Sequence, residues 1–480
     1  MSSAELASGG RQNVFGYVMR LIARIPFLVV GGRLYGAEEL GRFAYATITV
    51  EFAAALALVG LKRGIALALA RKKQPDNHVL ADAMLLIVAV GTAIGAVLFL
   101  FPTLLFPTGL RFEWERFLAL LVIVIAVLDL LLSGLAFHRR IDVQVMSRSL
   151  VEPWVLSIAA IGLHFTPLEP GGLLIAYVLA LIAASVVAWI PAFRHFGLPE
   201  GWRPSLSRMS AMARENLPVA GADVIDWSSR RIDLFILGRF ASAEVVGIYY
   251  VAQQIASLAG RLRTSFDPIL APLLSQALAG GRPKEAAAHL AQVGFWVITI
   301  QLCVVMMIGI GSEGTMGLFG PEFAAGGIVL LLLLLAELAA SQASIAESAL
   351  IYTRRHLNLL ISLFALAVEA AVAILLVPVW GGAGAAAGLF AAMLVMAVFK
   401  QILIVKTLGT PVPMWRLSIL ACAAPAFLYG WATLVLLPEA AHMFATGFGV
   451  PVIFFFLLWR FAFTEEDKLL VKKQREERAR

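Results

Sequence analysis

Two groups of charged residues lie where charge is expensive. Arg20 and Arg24 stand four residues apart inside the first apolar stretch, and GADVIDWSSRRIDLFILGR at 221–239 sets Asp223, Asp226 and Asp233 around the adjacent Arg230 and Arg231. An i, i+4 spacing puts Arg20 and Arg24 on one helix face. A guanidinium near the bilayer centre costs from about 2.5 kcal/mol to well over 10. Such a pair therefore either faces water or an anion, or snorkels to the interface, and Arg24 is harder to place by snorkelling. The chemistry on offer is charge-assisted, multidentate hydrogen bonding to phosphate or carboxylate. In the second stretch Asp226, Arg230 and Asp233 share a face at i, i+4, i+7, with Asp223 one turn earlier. One reading is an internal ion-pair ladder. The other turns Arg230 or Arg231 into a cavity, with Asp223, Asp226 or Asp233 tuning it or carrying a coupling ion. Arg261 and Arg263 either extend a basic entrance or sit at an interface.

Other chemistries find little support. Seven histidines form no HExxH or comparable cluster, and no Walker sequence, Gly-x-Ser-x-Gly or Cys-x-x-Cys occurs. No cofactor or metal is expected, and no enzymatic activity. Cys303 and Cys422 lie far apart in apolar runs and read as small core residues. Further acids inside apolar stretches, Glu51, Asp129, Glu337, Glu347 and Glu369, have no spacing that singles one out.

These residues must be positioned by membrane helices. The chain of 480 residues is 60% hydrophobic and 14% charged, with a mean hydropathy of +0.87, whereas a soluble domain is about a quarter charged. Segments of about 20 apolar residues span a bilayer, and about fourteen can be read, at 12–34, 40–61, 80–104, 115–136, 145–165, 171–193, 216–238, 244–262, 290–311, 326–351, 357–379, 384–405, 417–437 and 443–463. No cleavable signal peptide is expected, because the first apolar segment carries Arg20 and Arg24. Alternate loops are basic, from Lys62, Arg63, Arg71, Lys72 and Lys73 through Arg139, Arg140 and Arg148 to the tail at 464–480; Arg111 and Arg116 are a mild exception beside Glu113 and Glu115. That asymmetry predicts cytoplasmic N- and C-termini and accounts for the net charge of +7 without a nucleic-acid partner.

A repeat organises the spans. GRLYGAEELGRF at 32–43 returns as GRFASAEVVGIY at 238–249, sharing Gly32/Gly238, Arg33/Arg239, Ala37/Ala243, Glu38/Glu244 and Gly41/Gly247. A weaker match pairs ALARKKQP at 68–75 with ALAGGRP at 277–283. Six spans separate the copies, so the halves share an orientation, an arrangement of alternating-access transporters. The motif itself reads as a tight turn whose Arg and Glu are solvated. The expected architecture is all-α: a polytopic membrane protein with six-helix bundles at 1–200 and 201–410, then two additional transmembrane helices and a tail at 411–480.

The first helix with arginines, the GRLYGAEELGRF turn, GLKRGIALALAR after the second span and LFGPEFAAGG before the tenth resemble the polysaccharide-transporter (Wzx-type) branch of the multidrug/oligosaccharidyl-lipid/polysaccharide (MOP) flippase superfamily. The resemblance implies a flippase of the bacterial inner membrane that translocates an undecaprenyl-pyrophosphate-linked oligosaccharide. It implies that Arg20, Arg24, Arg230, Arg231, Arg261 and Arg263 hold the pyrophosphate, and that membrane lipids and polysaccharide polymerase or export machinery are partners. A lipid II flippase or a multidrug or small-solute antiporter of the same superfamily are the alternatives.

Overall fold

The computed structural model describes residues 25–229, 231–260 and 267–463, and among them all regular structure is helical. Continuous helix is what an apolar environment demands, since each backbone N–H and C=O must be paired within the segment. Arg20, Arg24, Arg230, Arg261 and Arg263 lie outside the described residues, as does the side chain of Asp226.

Among the described residues, ten segments are long and apolar enough to cross a membrane: Ile25–Ala70, Asp76–Leu100, Glu113–Phe137, Glu169–Phe196, Pro283–Gly309, Pro321–Thr353, Arg355–Trp380, Gly382–Leu408, Leu417–Leu436 and Glu439–Ala462. The chain is a multi-pass membrane protein. The expected spans at 145–165, 216–238 and 244–262 also form helices, but they are not among the ten. Two of these three are irregular. The first begins as a π-helix, Val145–Val151, holding Arg148, and runs on as Glu152–His164. The second is broken into Leu206–Ser228 and Ile232–Phe240. The expected first span lies mostly outside the described residues.

Two compact units divide the chain, Met1–Gly247 and Ile248–Arg480. In the first, α1 (Gly36–Ala57), α2 (Leu61–Ala70), α3 (Asp76–Leu100) and α5 (Gly172–Phe196) pack on α4 (Leu121–Phe137). The start of α6 (Leu206–Ser228) and the stretch before it are strapped to the start of α3: buried Asp82 accepts hydrogen bonds from Trp202 Nε1 at 2.9 Å and from Arg208 Nε at 2.7 Å. In the second unit, Gly384 and Gly388 let helix Gly382–Leu408 approach helix Arg355–Trp380, because a Cβ at Gly384 would stand 2.5 Å from the Leu376 carbonyl. The paired C-terminal helices Leu417–Leu436 and Glu439–Leu457 share a core with helix Pro283–Gly309. Cys303 and Cys422, both buried and unbridged, lie in it with Phe295 and Phe454.

The repeated motif is not a turn at its shared glycines. Gly41 lies inside α1 and Gly247 inside helix Ala243–Gly260. A Cβ on Gly41 would stand 1.7 Å from the Ala243 carbonyl oxygen, and one on Gly247 would stand 1.9 Å from that of Ala37. The copies are thus a reciprocal backbone contact, Ala37/Gly41 against Ala243/Gly247. Arg33, Arg239, Glu38 and Glu244 are exposed, as the sequence predicts.

Candidate functional site

The break between α6 and α7 (Ile232–Phe240) is the natural starting point. A helix interrupted within a membrane needs its freed backbone groups satisfied, and such interruptions commonly line binding sites. The Ser229 N–H and hydroxyl both donate to the Ile225 carbonyl, at 2.9 and 2.8 Å, so the last turn of α6 keeps its backbone bond. Arg231 follows in a non-helical conformation, φ −147° and ψ 0°. The buried Asp233 carboxylate accepts the Leu234 N–H at 2.7 Å. An acid in that first turn favours the start of α7. The expected single face of Asp226, Arg230 and Asp233 is therefore interrupted, because Asp233 belongs to a different helix from Asp223 and Asp226. Asp223 pairs with Arg63 Nε of α2 at 3.0 Å, and Glu215 pairs with Arg71 at 2.6 Å. These bonds stitch α6 to α2, and the Gly64 Cα sits against the Asn216 side chain.

Arg231 reaches α1, where Glu51 Oε2 accepts from its Nη1. Its guanidinium carbon lies 5.3 Å from the centre of the Trp227 ring, within cation–π range. Trp227 packs on Phe52 with centroids 4.7 Å apart, and Phe235 contacts both rings. A second group lies in the same unit. Lys62 Nζ donates to Asp129 Oδ2 at 2.8 Å, Arg148 Nη2 donates to Asp129 Oδ1, and Arg148 Nη1 donates to Glu152 Oε2 at 2.8 Å. Asp129 comes from α4, Lys62 from the first turn of α2, Arg148 from the π-helix Val145–Val151. A π-turn shifts the register by one residue and is frequent at functional sites. Tyr177 of α5 lies within electrostatic reach of Glu51, Glu152, Arg148 and Arg231, which makes the two groups neighbours. Just outside the span, hydrogen bonds from Arg140 hold the Asp142 carboxyl below its ordinary value. The turn leading into the π-helix is thereby ion-paired at neutral pH.

Among the described residues, Lys62, Arg148 and Arg231 pair with Glu51, Asp129 and Glu152. They are graded in openness, with Arg231 34% and Glu51 36% exposed against 17% for Arg148 and 15% for Asp129. A part-exposed ion pair inside an apolar span is tolerable against water and costly against hydrocarbon. Of the residues expected from sequence, the structure brings Arg231 into this network and puts Asp223 and Asp233 in structural contacts. Glu51, Lys62, Asp129, Arg148 and Glu152 were not singled out by sequence. Lys62 and Arg148 read as loop charges, and the one available signal was the i, i+4 spacing of Arg148 and Glu152.

The second unit has its own pair. Lys400, fully buried, donates to Glu347 Oε2 at 2.9 Å, and Asn358 Nδ2 donates to Glu347 Oε1 at 3.1 Å. Among the described residues no group of three or more His, Cys, Asp or Glu side chains is arranged to hold a metal.

The profile of the polysaccharide biosynthesis protein family matches residues 12–278, more than half of the chain. A search of curated proteins finds no match. Among solved structures the chain is similar to the lipid II flippase MurJ in an inward closed conformation, with TM-score 0.73 and 14% identity over 93% of this chain and 99% of that one. It is similar to an inward-facing multidrug resistance MATE family transporter of the MOP superfamily, with TM-score 0.66 and 14% identity over 82% of this chain and 94% of that one. A MOP superfamily transporter from Pyrococcus furiosus aligns with TM-score 0.52 and 15% identity over 85% of this chain and 95% of that one. At these identities the likeness is one of fold. The chain belongs to the polysaccharide biosynthesis protein family, and its fold is that of the MOP flippase superfamily.

Proposed function

We propose that the protein is a flippase that moves an undecaprenyl-pyrophosphate-linked oligosaccharide across the bacterial inner membrane by alternating access. The observation that carries this reading is the partly open network of Lys62, Arg148 and Arg231 with Glu51, Asp129 and Glu152, of which Glu51, Lys62 and Asp129 lie on segments long and apolar enough to cross a membrane. A diphosphate crossing a low-dielectric layer needs fixed cations. Arginine supplies them as planar, multidentate donors that stay protonated. The saccharide travels in water and the polyprenyl tail stays in lipid. In this reading Arg20, Arg24, Arg230, Arg261 and Arg263 add to the basic set around Arg231. Asp223, Asp226 and Asp233 remain the ion-coupling candidates. The six-helix repeats at 1–200 and 201–410 are the moving parts, the segment 411–480 adds two further transmembrane helices and a cytoplasmic tail, and both termini are cytoplasmic. Membrane lipids and a polysaccharide polymerase or export complex would be its neighbours.

The family match to polysaccharide biosynthesis supports a glycan precursor as cargo. The fold likeness to a lipid II flippase makes that substrate the competing reading, since the two cargoes share a diphosphate. Mass spectrometry of lipid-linked intermediates in a deletion strain separates them. A trapped lipid-linked oligosaccharide is expected; accumulated lipid II would transfer the protein to the competing reading, and unchanged pools would end both.

A further inference from the structure

Resting on the flippase reading, we propose that Tyr45, Phe52, Trp227 and Phe235 form a platform for the saccharide of the substrate, with the Trp227 indole N–H and the Tyr45 hydroxyl as its hydrogen-bond donors. The Phe235 ring lies at the centre, 5.6 Å from Trp227, 5.7 Å from Phe52 and 5.8 Å from Tyr45. Phe52 and Trp227 are 4.7 Å apart, with planes 31° from parallel. Tyr45 and Phe52 stand at i and i+7 on α1, which puts them on one helix face. Tyr45 is held against α7, since a Cβ on Gly238 would stand 2.1 Å from its Cδ2. Three features separate this surface from core packing. All four side chains are part-exposed, whereas the packing pair Phe27 and Phe43, 5.2 Å apart, is buried at 2% and 3%. Glu51, beside Phe52, is 36% exposed, and a carboxylate is costly against hydrocarbon, so this stretch of α1 opens to water. Finally, among the described residues neither the Trp227 N–H nor the Tyr45 hydroxyl donates a hydrogen bond. Buried indole and phenol groups usually find partners; two unpaired on one part-exposed surface are available to a molecule that enters.

A pyranose matches both halves of that chemistry. Its faces present C–H groups that pack on aromatic rings, and its edge presents hydroxyls that accept from N–H and O–H donors. Neither other part of the substrate combines the two: a polyprenyl chain has no acceptor, and a diphosphate has no apolar face. The covalent order of the substrate fixes the place. The first sugar is bonded to the diphosphate, so its platform must adjoin the cation that holds the diphosphate, as Trp227 adjoins Arg231 at 5.3 Å. Stacking tolerates many sugars, so the rings select for saccharide as a class while the two donors read its hydroxyls.

The test uses full-length protein in lipid nanodiscs and two probes, a sugar-free polyprenyl diphosphate and the lipid-linked saccharide that accumulates in the deletion strain. The wild type should bind the saccharide-bearing lipid about tenfold more tightly. The double variant Trp227→Phe, Tyr45→Phe keeps every ring and removes both donors. It should erase most of that margin and leave binding of the sugar-free lipid unchanged, and each single variant should lose part of it. Should the double variant not fold, the single variants carry the same comparison. Equal binding of the two lipids by the wild type overturns the proposal. So does a folded variant that keeps the whole margin, or one that loses affinity for both lipids alike, since that would assign the rings to holding Arg231. Proteoliposomes keep the two readings apart. Translocation of the lipid-linked saccharide without a saccharide-dependent margin overturns this inference alone, whereas wild-type vesicles that translocate none overturn the flippase reading, and this inference with it.

Discussion

The ion pair of Lys400 and Glu347 shows how exposure decides the worth of a charge. The lysine is fully buried while the carboxylate is 34% exposed. Removing either partner leaves the other uncompensated, and the cost scales with how deeply the survivor is buried; a broken buried pair costs about 3–5 kcal/mol. Glu347→Gln strands a fully buried ammonium, so it should destabilise more than Lys400→Met, which strands a carboxylate that can still reach water. Thermal unfolding in detergent should give that order, with the double variant recovering most of the loss. The reverse order would mean that Lys400 is held by something other than Glu347. The same logic separates Arg231 from Arg148 in the first unit. Arg148→Gln leaves Asp129 and Glu152 short of a cation in a less open place. It should lower both the folded yield and transport, whereas Arg231→Gln should spare folding and lower transport. Equal folded yields for the two would remove the distinction. None of this grading was legible in the sequence. Residue types identified which charges lie in membrane segments, but Glu51 and Arg231 are 180 positions apart, and no periodicity links residues on different helices.

At the scale of elements, the contact of Gly41 with Gly247 is the feature the sequence pointed to without explaining. The shared Ala and Gly stood out by alignment, and a turn was the simplest account, since glycine is common where φ is positive. Here both glycines are helical, and what they supply is the absence of a side chain where two backbones touch. Gly41→Ala or Gly247→Ala puts a methyl 1.7 Å or 1.9 Å from a carbonyl oxygen, so the helices must separate. Overpacking of this kind costs typically about 1–3 kcal/mol, and it should block transport while leaving membrane insertion intact. A disulfide test reads the geometry directly: cysteines at Ala37 and Ala243 should cross-link readily in the wild-type background and poorly once Gly41 carries a methyl. Efficient cross-linking in both backgrounds would mean that the backbones do not need the glycines. The break at Ser229–Arg231 was illegible for a related reason. The stretch across it, IDWSSRRIDLF at 225–235, stands out for its charges, but residue types alone do not say where a helix stops and the next begins.

For the whole molecule the proposed activity sets the expectations. Loss of the protein should trap lipid-linked oligosaccharide facing the cytoplasm, read by protection of the glycan from externally added glycosidase in spheroplasts. Full glycosidase sensitivity would mean that export proceeds without it. Collapse of the proton gradient should slow net translocation in vesicles if Asp223 or Asp226 carries a coupling proton. Asp223 is already paired with Arg63 at 3.0 Å, so an indifferent rate would assign it to holding α6 against α2. The class of protein needed only composition, because a chain with this little charge and this many long apolar runs can satisfy its backbone only as membrane helices. The family, too, was legible, carried by local strings of Gly, Arg and apolar residues that survive as sequence patterns. The helical class and the membrane therefore belong to the sequence by itself. Which cation meets which carboxylate, where a helix breaks, and that two distant glycines touch belong to tertiary structure alone. Those depend on how helices far apart in the chain are packed, and packing is a property of distances between segments that no local pattern contains.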